Sequence, residues 1–149
     1  MKPYVIDTTV APYGIRIELS PTMHGAILKV TFPSSQSYAN QGRSVCFTSA
    51  DFTANGNNKL TGRAGQVHHD RMPIVNFMMY IHIETSNANT IHREHDMICF
   101  QYNNNAEVVI VKMATSLISA QQAEYNFKTE VENKEYANIY EVAKKTWHE

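Results

Sequence analysis

The chain has 149 residues, which is within the usual size of one domain with a single hydrophobic core. Its 13 Lys and Arg residues nearly balance its 14 Asp and Glu residues, so the net charge of −1 gives no sign of a nucleic-acid partner or an anionic membrane surface. The longest apolar runs, such as residues 74–83, are interrupted by polar residues and are too short to span a bilayer. We therefore predict a protein that binds neither nucleic acid nor a membrane.

The first strand signals are segments in which apolar and polar residues alternate. This period of two is typical of a strand with one buried face. Ile15, Ile17 and Leu19 alternate with charged residues until Pro21 ends the pattern, and residues 26–32 alternate again. We expect both segments to be strands, the first with only its isoleucine and leucine side buried.

Turn residues separate the following strand candidates. Residues 44–48 form a short candidate, and residues 53–66 contain an Asn-Gly pair and two further glycines, which favour a turn because they accept positive φ. The strongest strand signal is residues 74–84. Its apolar face consists of Val75, Phe77, Met79, Ile81 and Ile83, and its semi-polar face of Asn76, Met78, Tyr80, His82 and Glu84.

Two later segments, residues 97–102 and 107–113, are separated by a short polar stretch. This spacing predicts an antiparallel hairpin. With at least five or six strands in all, the pattern favours a mainly β fold, an antiparallel two-layer sandwich over residues 1–118.

The two cysteines lack the C-x-x-C spacing of a redox or metal motif. Cys46 and Cys99 both fall in strand-like segments. We interpret them as two buried thiols, with one disulfide as the alternative.

Residues 119–149 change to helical spacing. Ser119 and Gln122 have the spacing of a capping box, and Ile118 with Ala123 has that of a hydrophobic staple. An apolar stripe of one helix then follows, with a break expected at Asn133. That stripe consists of Ala123, Phe127 and Val131.

A second helix has its own apolar stripe, which consists of Ile139, Val142, Ala143 and Trp147. Charged residues occupy the opposite side. The stripe requires a partner, either the sandwich itself or a helical domain that this chain does not contain.

Two histidine-rich segments have the residue types of a metal site. They contain His68, His69, Asp70, His92, His95 and Asp96. Imidazole and carboxylate groups suit zinc or non-haem iron, but neither segment has the H-E-x-x-H spacing of a metalloprotease helix. We predict solvated polar loops without a metal site, and we interpret His82 as a half-buried histidine with its hydrogen bonds satisfied.

The sequence gives no catalytic residue and no defined substrate-binding residue. It lacks the G-x-S-x-G elbow, a local cysteine-protease signature and the glycine patterns that hold phosphates. Its 8 Tyr, 6 Phe and 1 Trp supply aromatic faces for sugar stacking, although such residues more often pack within a core.

Two blocks of the chain, however, carry a resemblance to a known family. The C-terminal block is more specific and consists of Val109, Val111, Lys112, Ser116, Ile118, Ser119, Ala123, Asn126, Ala143, Trp147 and Glu149. The upstream block consists of Glu18, Leu19, Thr22, Gly25, Thr31, Phe32 and Pro33. From about Tyr13 to its end, the chain resembles the family-92 glycoside hydrolases, which are calcium-dependent exo-acting α-mannosidases.

The resemblance implies an N-terminal β-sandwich that passes through a helical connector, residues 119–149, into an (α/α)6 barrel absent from this chain. It implies that the barrel supplies the general acid and the general base. It also implies that the intact enzyme uses calcium, acts on mannose-containing glycans and is secreted, periplasmic or at the cell surface. The first residues have no apolar stretch of signal-peptide length, so an export signal was either never present or removed.

Three hypotheses follow. The first is a sandwich fragment of an α-mannosidase-type glycoside hydrolase, structural and active-site-framing but inactive alone. The second is a freestanding β-sandwich that binds carbohydrate or protein. The third is a small metal-dependent enzyme that uses the histidine segments.

Overall fold

The structure is a computed structural model that describes residues 2–34, 42–48, 50–65 and 78–148. Within these ranges the chain forms ten strands followed by two helices. The strands are β1 (Ile6–Val10), β2 (Ile15–Pro21), β3 (Gly25–Thr31), β4 (Arg43–Phe47), β5 (Asp51–Ala54), β6 (Lys59–Gly65), β7 (Met78–Thr85), β8 (Thr90–Glu94), β9 (Met97–Tyr102) and β10 (Val108–Ser116). The helices are α1 (Ala120–Glu130) and α2 (Tyr136–His148).

The described strands form two antiparallel sheets. Seven strands form the large sheet in the order β1-β2-β3-β10-β7-β6-β5, and three form the small sheet in the order β4-β9-β8. All neighbouring strands in both sheets run antiparallel. The predicted mainly β fold with a C-terminal pair of helices is confirmed.

The main core lies between the two sheets. Phe100, Ile98 and Tyr102 of the small sheet pack with large-sheet residues such as Val111 and Leu60. Thr85 and Tyr102 share a buried hydrogen bond of 2.8 Å, and burial raises the pKa of the Tyr102 hydroxyl to about 12. This polar pair is therefore satisfied within an apolar layer.

The helices cover the other face of the large sheet. Helix α1 contacts β10, β7 and β3, and α2 contacts β2 and β3. Phe127 and Val131 of α1 and Ile139 of α2 form a second apolar cluster with Ile27 and Ala114 of the sheet. No described helix has the length and apolar content that a membrane crossing requires.

The prediction that β2 is buried on one face only is wrong, because the helices form a second layer over the large sheet. Glu18 and Ser20 are buried, whereas Ile17 and Leu19 are only partly buried. The reason is that α2 and the N-terminal segment cover the polar side of the strand, where the Ser20 hydroxyl donates to the Tyr4 carbonyl oxygen at 3.3 Å.

The predicted hairpin of residues 97–102 and 107–113 is wrong. Both segments are strands, but β9 lies in the small sheet between β4 and β8, and β10 lies in the large sheet between β3 and β7. The polar stretch between them therefore connects the two layers. Of the strand predicted over residues 74–84, the described part from Met78 onward is β7, and residues 74–77 lie outside the described ranges.

The predicted turn in residues 53–66 is shorter than expected. Gly56 has a φ of 72° in the connection between β5 and β6, as the Asn-Gly pair predicts. Gly62, in contrast, lies within β6. A side chain at Gly62 would collide with the ring of Phe52, so this glycine permits close packing within the sheet.

The cysteines form a disulfide, which corrects the prediction of two thiols. Cys46 of β4 and Cys99 of β9 are directly opposite in the antiparallel register, with their Cα atoms 4.0 Å apart. Directly opposite residues project from the same face of a sheet, which brings the two sulfur atoms together. The sequence spacing gave no information about this register.

The apolar stripe predicted for the first helix is buried in α1, but the predicted capping box and hydrophobic staple do not form. The Ser119 hydroxyl accepts from the Gln122 backbone N–H at 3.0 Å, while the Gln122 side chain donates to Asn126 and does not complete a capping box. Ile118 is 78% exposed, so the predicted staple with Ala123 does not form. Helix α1 ends three residues before Asn133, at Glu130, with Val131 as its C-cap.

Candidate functional site

A groove lies where β1, β2 and the first half of α2 meet. Its volume is about 610 Å³, a size typical of small-molecule sites. The groove is lined by Lys2, Val5, Ile6, Asp7, Thr8, Arg16, Glu18, Tyr136, Ala137, Tyr140 and Glu141. It combines charged groups on the sheet with aromatic rings on the helix.

The sheet side of the groove is a network of ion pairs. Antiparallel pairing places Asp7 directly opposite Glu18, and Glu18 opposite Lys29. Arg16 donates to both Asp7 oxygens at 3.0 and 2.9 Å, and its Nη2 lies 3.3 Å from Glu18 Oε1. The hydrogen bonds from Arg16 hold the pKa of Asp7 below its ordinary value, and those same bonds raise the pKa of Arg16.

Glu18 is the buried centre of this network. The residue is 8% exposed, and its Oε2 lies 3.3 Å from Lys29 Nζ. The same oxygen is buried and accepts no hydrogen bond among the described residues. The Glu18 carboxylate thus lies between two cations, Arg16 and Lys29.

The helix side of the groove is aromatic. Tyr136 and Tyr140 are one turn apart on α2, and their rings stack with centroids 6.3 Å apart. Tyr140 also meets the buried Tyr4 edge-on at 5.8 Å. Burial, together with the negative charges of Glu18 and Asp7, raises the pKa of Tyr136 to about 12, so its hydroxyl remains protonated at neutral pH.

A second polar cluster ties the end of α1 to the turn between β2 and β3. Glu130 accepts from the Thr22 hydroxyl at 2.5 Å and from the His24 backbone N–H at 2.9 Å, and its other oxygen lies 2.6 Å from His24 Nδ1. Burial alone would raise the pKa of Glu130, but these hydrogen bonds outweigh it and hold the pKa below its ordinary value of 4.5. The cluster is therefore a structural clamp that uses an ionised carboxylate.

We expect Glu130→Gln to lower the free energy of unfolding by about 1–2 kcal/mol at neutral pH, because an amide keeps the shape but loses charge-assisted hydrogen bonds. A carboxylate with a lowered folded pKa stabilises the fold above its unfolded pKa, and this stabilisation is lost as the pH falls through the folded value. The difference between the two proteins should therefore be full above about pH 4.5 and shrink below it.

Urea unfolding at a series of pH values measures this difference directly. Glu132→Gln is the matched control, because Glu132 is an exposed acidic residue two positions later. A Glu130→Gln protein that keeps the same stability difference at pH 3 as at pH 7 would contradict the clamp.

Only one of the two histidine-rich segments lies within the described residues. His92 lies in β8, not in a loop, and His95 has a φ of 55° in the turn between β8 and β9. His68, His69 and Asp70 lie outside the described ranges. Among the residues that are described, no three His, Cys, Asp or Glu side chains are grouped to hold a metal, and the expectation of no metal site stays a prediction.

His82 is a structural residue of β7. It is 3% exposed, its Nε2 lies 2.7 Å from Glu84 Oε1, and its ring packs against Phe127 of α1 at 4.5 Å. It is thus more deeply buried than predicted, because α1 covers the semi-polar face of the strand. Its interpretation as a histidine with its hydrogen bonds satisfied agrees with this contact.

The residues behind the family resemblance lie mainly at the junction between sheet and helix. Ser116 Oγ accepts from the Ile118 N–H at 3.0 Å, and the buried Asn126 donates to the Thr115 carbonyl oxygen at 2.9 Å. Lys112 donates to the Glu132 carbonyl oxygen at 2.6 Å. These side chains fix how α1 leaves β10 and lies on the large sheet.

Helix α2 buries only half of its predicted stripe. Ile139 and Ala143 are buried, whereas Val142 is 66% exposed and Trp147 is 60% exposed. Large apolar side chains at the end of a helix are available to a further packing partner.

Comparisons with known proteins give a structural match only. No family model matches the sequence, and no curated protein does. An inverting mannosidase of family GH92 from Bacteroides thetaiotaomicron matches 98% of this chain with a TM-score of 0.74 and 24% identity. The chain has the fold of a segment of the GH92 mannosidases.

Two further solved structures agree with this fold. A family GH92 α-mannosidase from the same species, also solved in complex with mannoimidazole, matches 97% of the chain with TM-scores of 0.71 and 0.70 and 16% identity. A GH92 family glycosyl hydrolase matches 94% of the chain with a TM-score of 0.68 and 14% identity. The resemblance inferred from the sequence is confirmed at the level of fold.

The match covers only part of each GH92 protein. The chain spans between 21% and 23% of the length of these structures. It thus corresponds to one segment of a much larger molecule in each of them.

Sequence reasoning missed most of the groove. Arg16 and Glu18 were placed on the polar side of β2, but β1 with Asp7 was not predicted, and neither was the role of Tyr136 and Tyr140. The one available signal was the spacing of the two tyrosines, which places them on the same side of α2.

Proposed function

We propose that this chain is the β-sandwich segment, with its connecting helices, of an α-mannosidase-type glycoside hydrolase. The observation that carries the proposal is the match of 98% of the chain to an inverting GH92 mannosidase, of which it covers 22%. The residues that carry the sequence resemblance support the proposal, because Ser116, Asn126 and Lys112 make hydrogen bonds at the junction between β10 and α1.

In this proposal the chain frames the site and the remaining helical barrel performs the reaction. Inverting hydrolysis uses one carboxylic acid to protonate the leaving oxygen and one carboxylate to activate water on the opposite face of the sugar. The family resemblance assigns both to the barrel. The substrate of the intact enzyme is proposed to be a mannose-containing glycan.

The exposed half of the α2 stripe supports a structural role of this kind. Val142 and Trp147 lie on the two flanks of the buried Ile139 and Ala143, and the sandwich leaves both of them exposed. We assign this surface to contact with the helical barrel. Such packing would bury the two side chains and fix the direction in which the chain continues.

Calcium belongs to the intact enzyme in this proposal. Among the described residues, no three acidic, histidine or cysteine side chains are grouped around one position. We therefore assign no calcium ligand and no calcium-dependent step to them.

A freestanding binding module is the second candidate function. It is favoured by the burial of Phe127, Val131 and Ile139, which shows that much of the helical tail packs on the sandwich. The exposed Val142 and Trp147 favour the first proposal over it.

The isolated chain should not hydrolyse α-mannosides. The test is to incubate the purified chain with calcium and an aryl α-mannoside, then with an α-1,2-linked mannobiose, over a wide pH range. We expect no turnover, because glycoside hydrolysis requires two carboxylates held on opposite sides of one sugar. Turnover that survives further purification and disappears with substitution of a single carboxylate in residues 1–149 would overturn the proposal.

A further inference from the structure

The disulfide lies in a row with a histidine on the outer face of the small sheet. The antiparallel register places Cys46 directly opposite Cys99, and Cys99 directly opposite His92. Directly opposite residues project from the same face, with their Cβ atoms about 4.5–5.5 Å apart. Ile98 and Phe100, the chain neighbours of Cys99, face the core between the sheets, so the row lies on the other face. An imidazole therefore lies beside the bridge.

The two sulfur atoms of the bridge differ in access. Cys46 is exposed and belongs to β4, an outer strand of the small sheet, whereas Cys99 is 1% exposed and belongs to the central strand β9. An attacking thiolate approaches in line with the S–S bond, from the side opposite the sulfur that leaves. Attack on Cys46 thus comes from the outer side of β4, on which no other described strand pairs. Attack on Cys99 would come from the side of β8, where His92 lies.

His92 has a ring nitrogen that is available to the departing sulfur. Its Nδ1 is buried and makes no hydrogen bond among the described residues, while its Nε2 lies 3.9 Å from Glu94 Oε2. Both ring nitrogens of an imidazolium are donors, so Nδ1–H can donate to a thiolate at Cys99. A neighbouring imidazolium favours the thiolate form of a cysteine, and a sulfur that is stable as a thiolate leaves faster.

We propose that the Cys46–Cys99 bridge is a site of thiol–disulfide exchange for low-molecular-weight thiols, with Cys46 as the attacked sulfur and His92 as the partner of the departing Cys99 sulfur. A first thiolate forms a bond to Cys46 Sγ, and the S–S bond breaks with its electron pair on Cys99 Sγ. The Cys99 thiolate accepts a hydrogen bond and then a proton from His92 Nδ1, and the imidazole regains a proton from water.

A second thiolate completes the reaction. It attacks the sulfur of the first thiol in the mixed disulfide and releases Cys46 as a thiolate, which takes a proton from water. Two thiols are thereby oxidised to one disulfide, and the bridge is reduced by two electrons to two cysteine thiols. The stability of the chain then depends on the thiol concentration around it. This site goes beyond the proposed function, because a segment of a hydrolase requires no exchange.

Mapping of the mixed disulfide in the unaltered protein tests which sulfur is attacked. The folded chain is mixed with reduced glutathione, quenched early in mild acid and alkylated with N-ethylmaleimide. Cleavage after Arg63 and Arg93 places the two cysteines in different peptides. We expect glutathione on Cys46 and the alkyl group on Cys99 with a preference of about fivefold or more. Equal labelling, a preference for Cys99, or no exchange at about 10 mM glutathione within a day would overturn the proposal.

Two glutamine variants test the role of His92. Thr90 is an exposed residue on the same strand and face, but it lies opposite Gln101 and not opposite Cys99. His92→Gln should slow exchange in the folded protein by about fivefold or more, and Thr90→Gln should change it by less than about twofold. A substitution that merely destabilised the fold would instead speed exchange by exposing the bridge. Equal rates for the two folded variants would overturn the role of His92.

Exchange at a series of urea concentrations shows whether the folded chain reacts. Below the unfolding transition the rate should change by less than about twofold, because Cys46 is already exposed. In fully unfolding urea the His92→Gln and Thr90→Gln proteins should react equally, since the fold no longer holds residue 92 beside Cys99. A rate that rises steeply with urea before the transition would show that only opened chains react, and would overturn the proposal.

Discussion

Phe127→Ala should lower the free energy of unfolding by about 3–5 kcal/mol, the range for removing a large aromatic side chain from a packed core. Phe127 is 1% exposed and joins α1 to the large sheet through Ile27, Ala114 and the ring of His82. The substitution leaves a cavity at the centre of this layer. Urea unfolding followed by circular dichroism measures the change.

Tyr125→Ala is the control on the same helix. Tyr125 is 63% exposed, so its loss should change the free energy of unfolding by less than about 0.5 kcal/mol. A loss of under about 1 kcal/mol for Phe127→Ala would show that α1 is not held on the sheet as the structure describes.

Removal of the Cys46–Cys99 disulfide should lower stability by about 4 kcal/mol. The two residues are 53 positions apart, and the loop-closure entropy that the bridge removes from the unfolded chain gives this magnitude. A reducing agent should therefore lower the urea midpoint of the unaltered protein. The double variant Cys46→Ser, Cys99→Ala should show the lower midpoint with or without the agent.

Alkylation in urea without a reducing agent checks the bridge chemically. The mass of the protein should stay unchanged, because neither sulfur carries a free thiol. Addition of two alkyl groups under these conditions, or a midpoint insensitive to reduction, would restore the original interpretation of two thiols.

The local strand and helix patterns were predictable from the sequence because they depend on residues close together in the chain. Alternation identified β2, β3 and the described part of β7, and i, i+4 spacing identified the buried stripe of α1. These signals do not depend on which partner a segment finds.

The pairing of strands was not predictable in the same way. An alternating strand such as β9 can pair with any antiparallel neighbour, so a short polar connection to β10 favoured a hairpin where the chain instead changes sheets. The opposition of Cys46 and Cys99 depends on the same long-range register.

The groove was not predictable from the sequence for a related reason. Alternation in β2 predicts that Glu18 faces solvent. The residue is buried because α2, more than a hundred residues later in the chain, covers that face of the strand. The charges and histidines of the segment that contains His92 are typical of a loop, but this segment forms a short edge strand, β8. Both errors arise from tertiary contacts that override local composition.

The length of the natural polypeptide tests the central claim most directly. An antibody raised against this chain, used to detect the native protein in its source, reports that length. We expect a polypeptide roughly four to five times longer than 149 residues, because the chain covers 22% of a solved GH92 mannosidase. A single native species of 16.9 kDa would contradict the claim that this sandwich is a segment of a larger hydrolase.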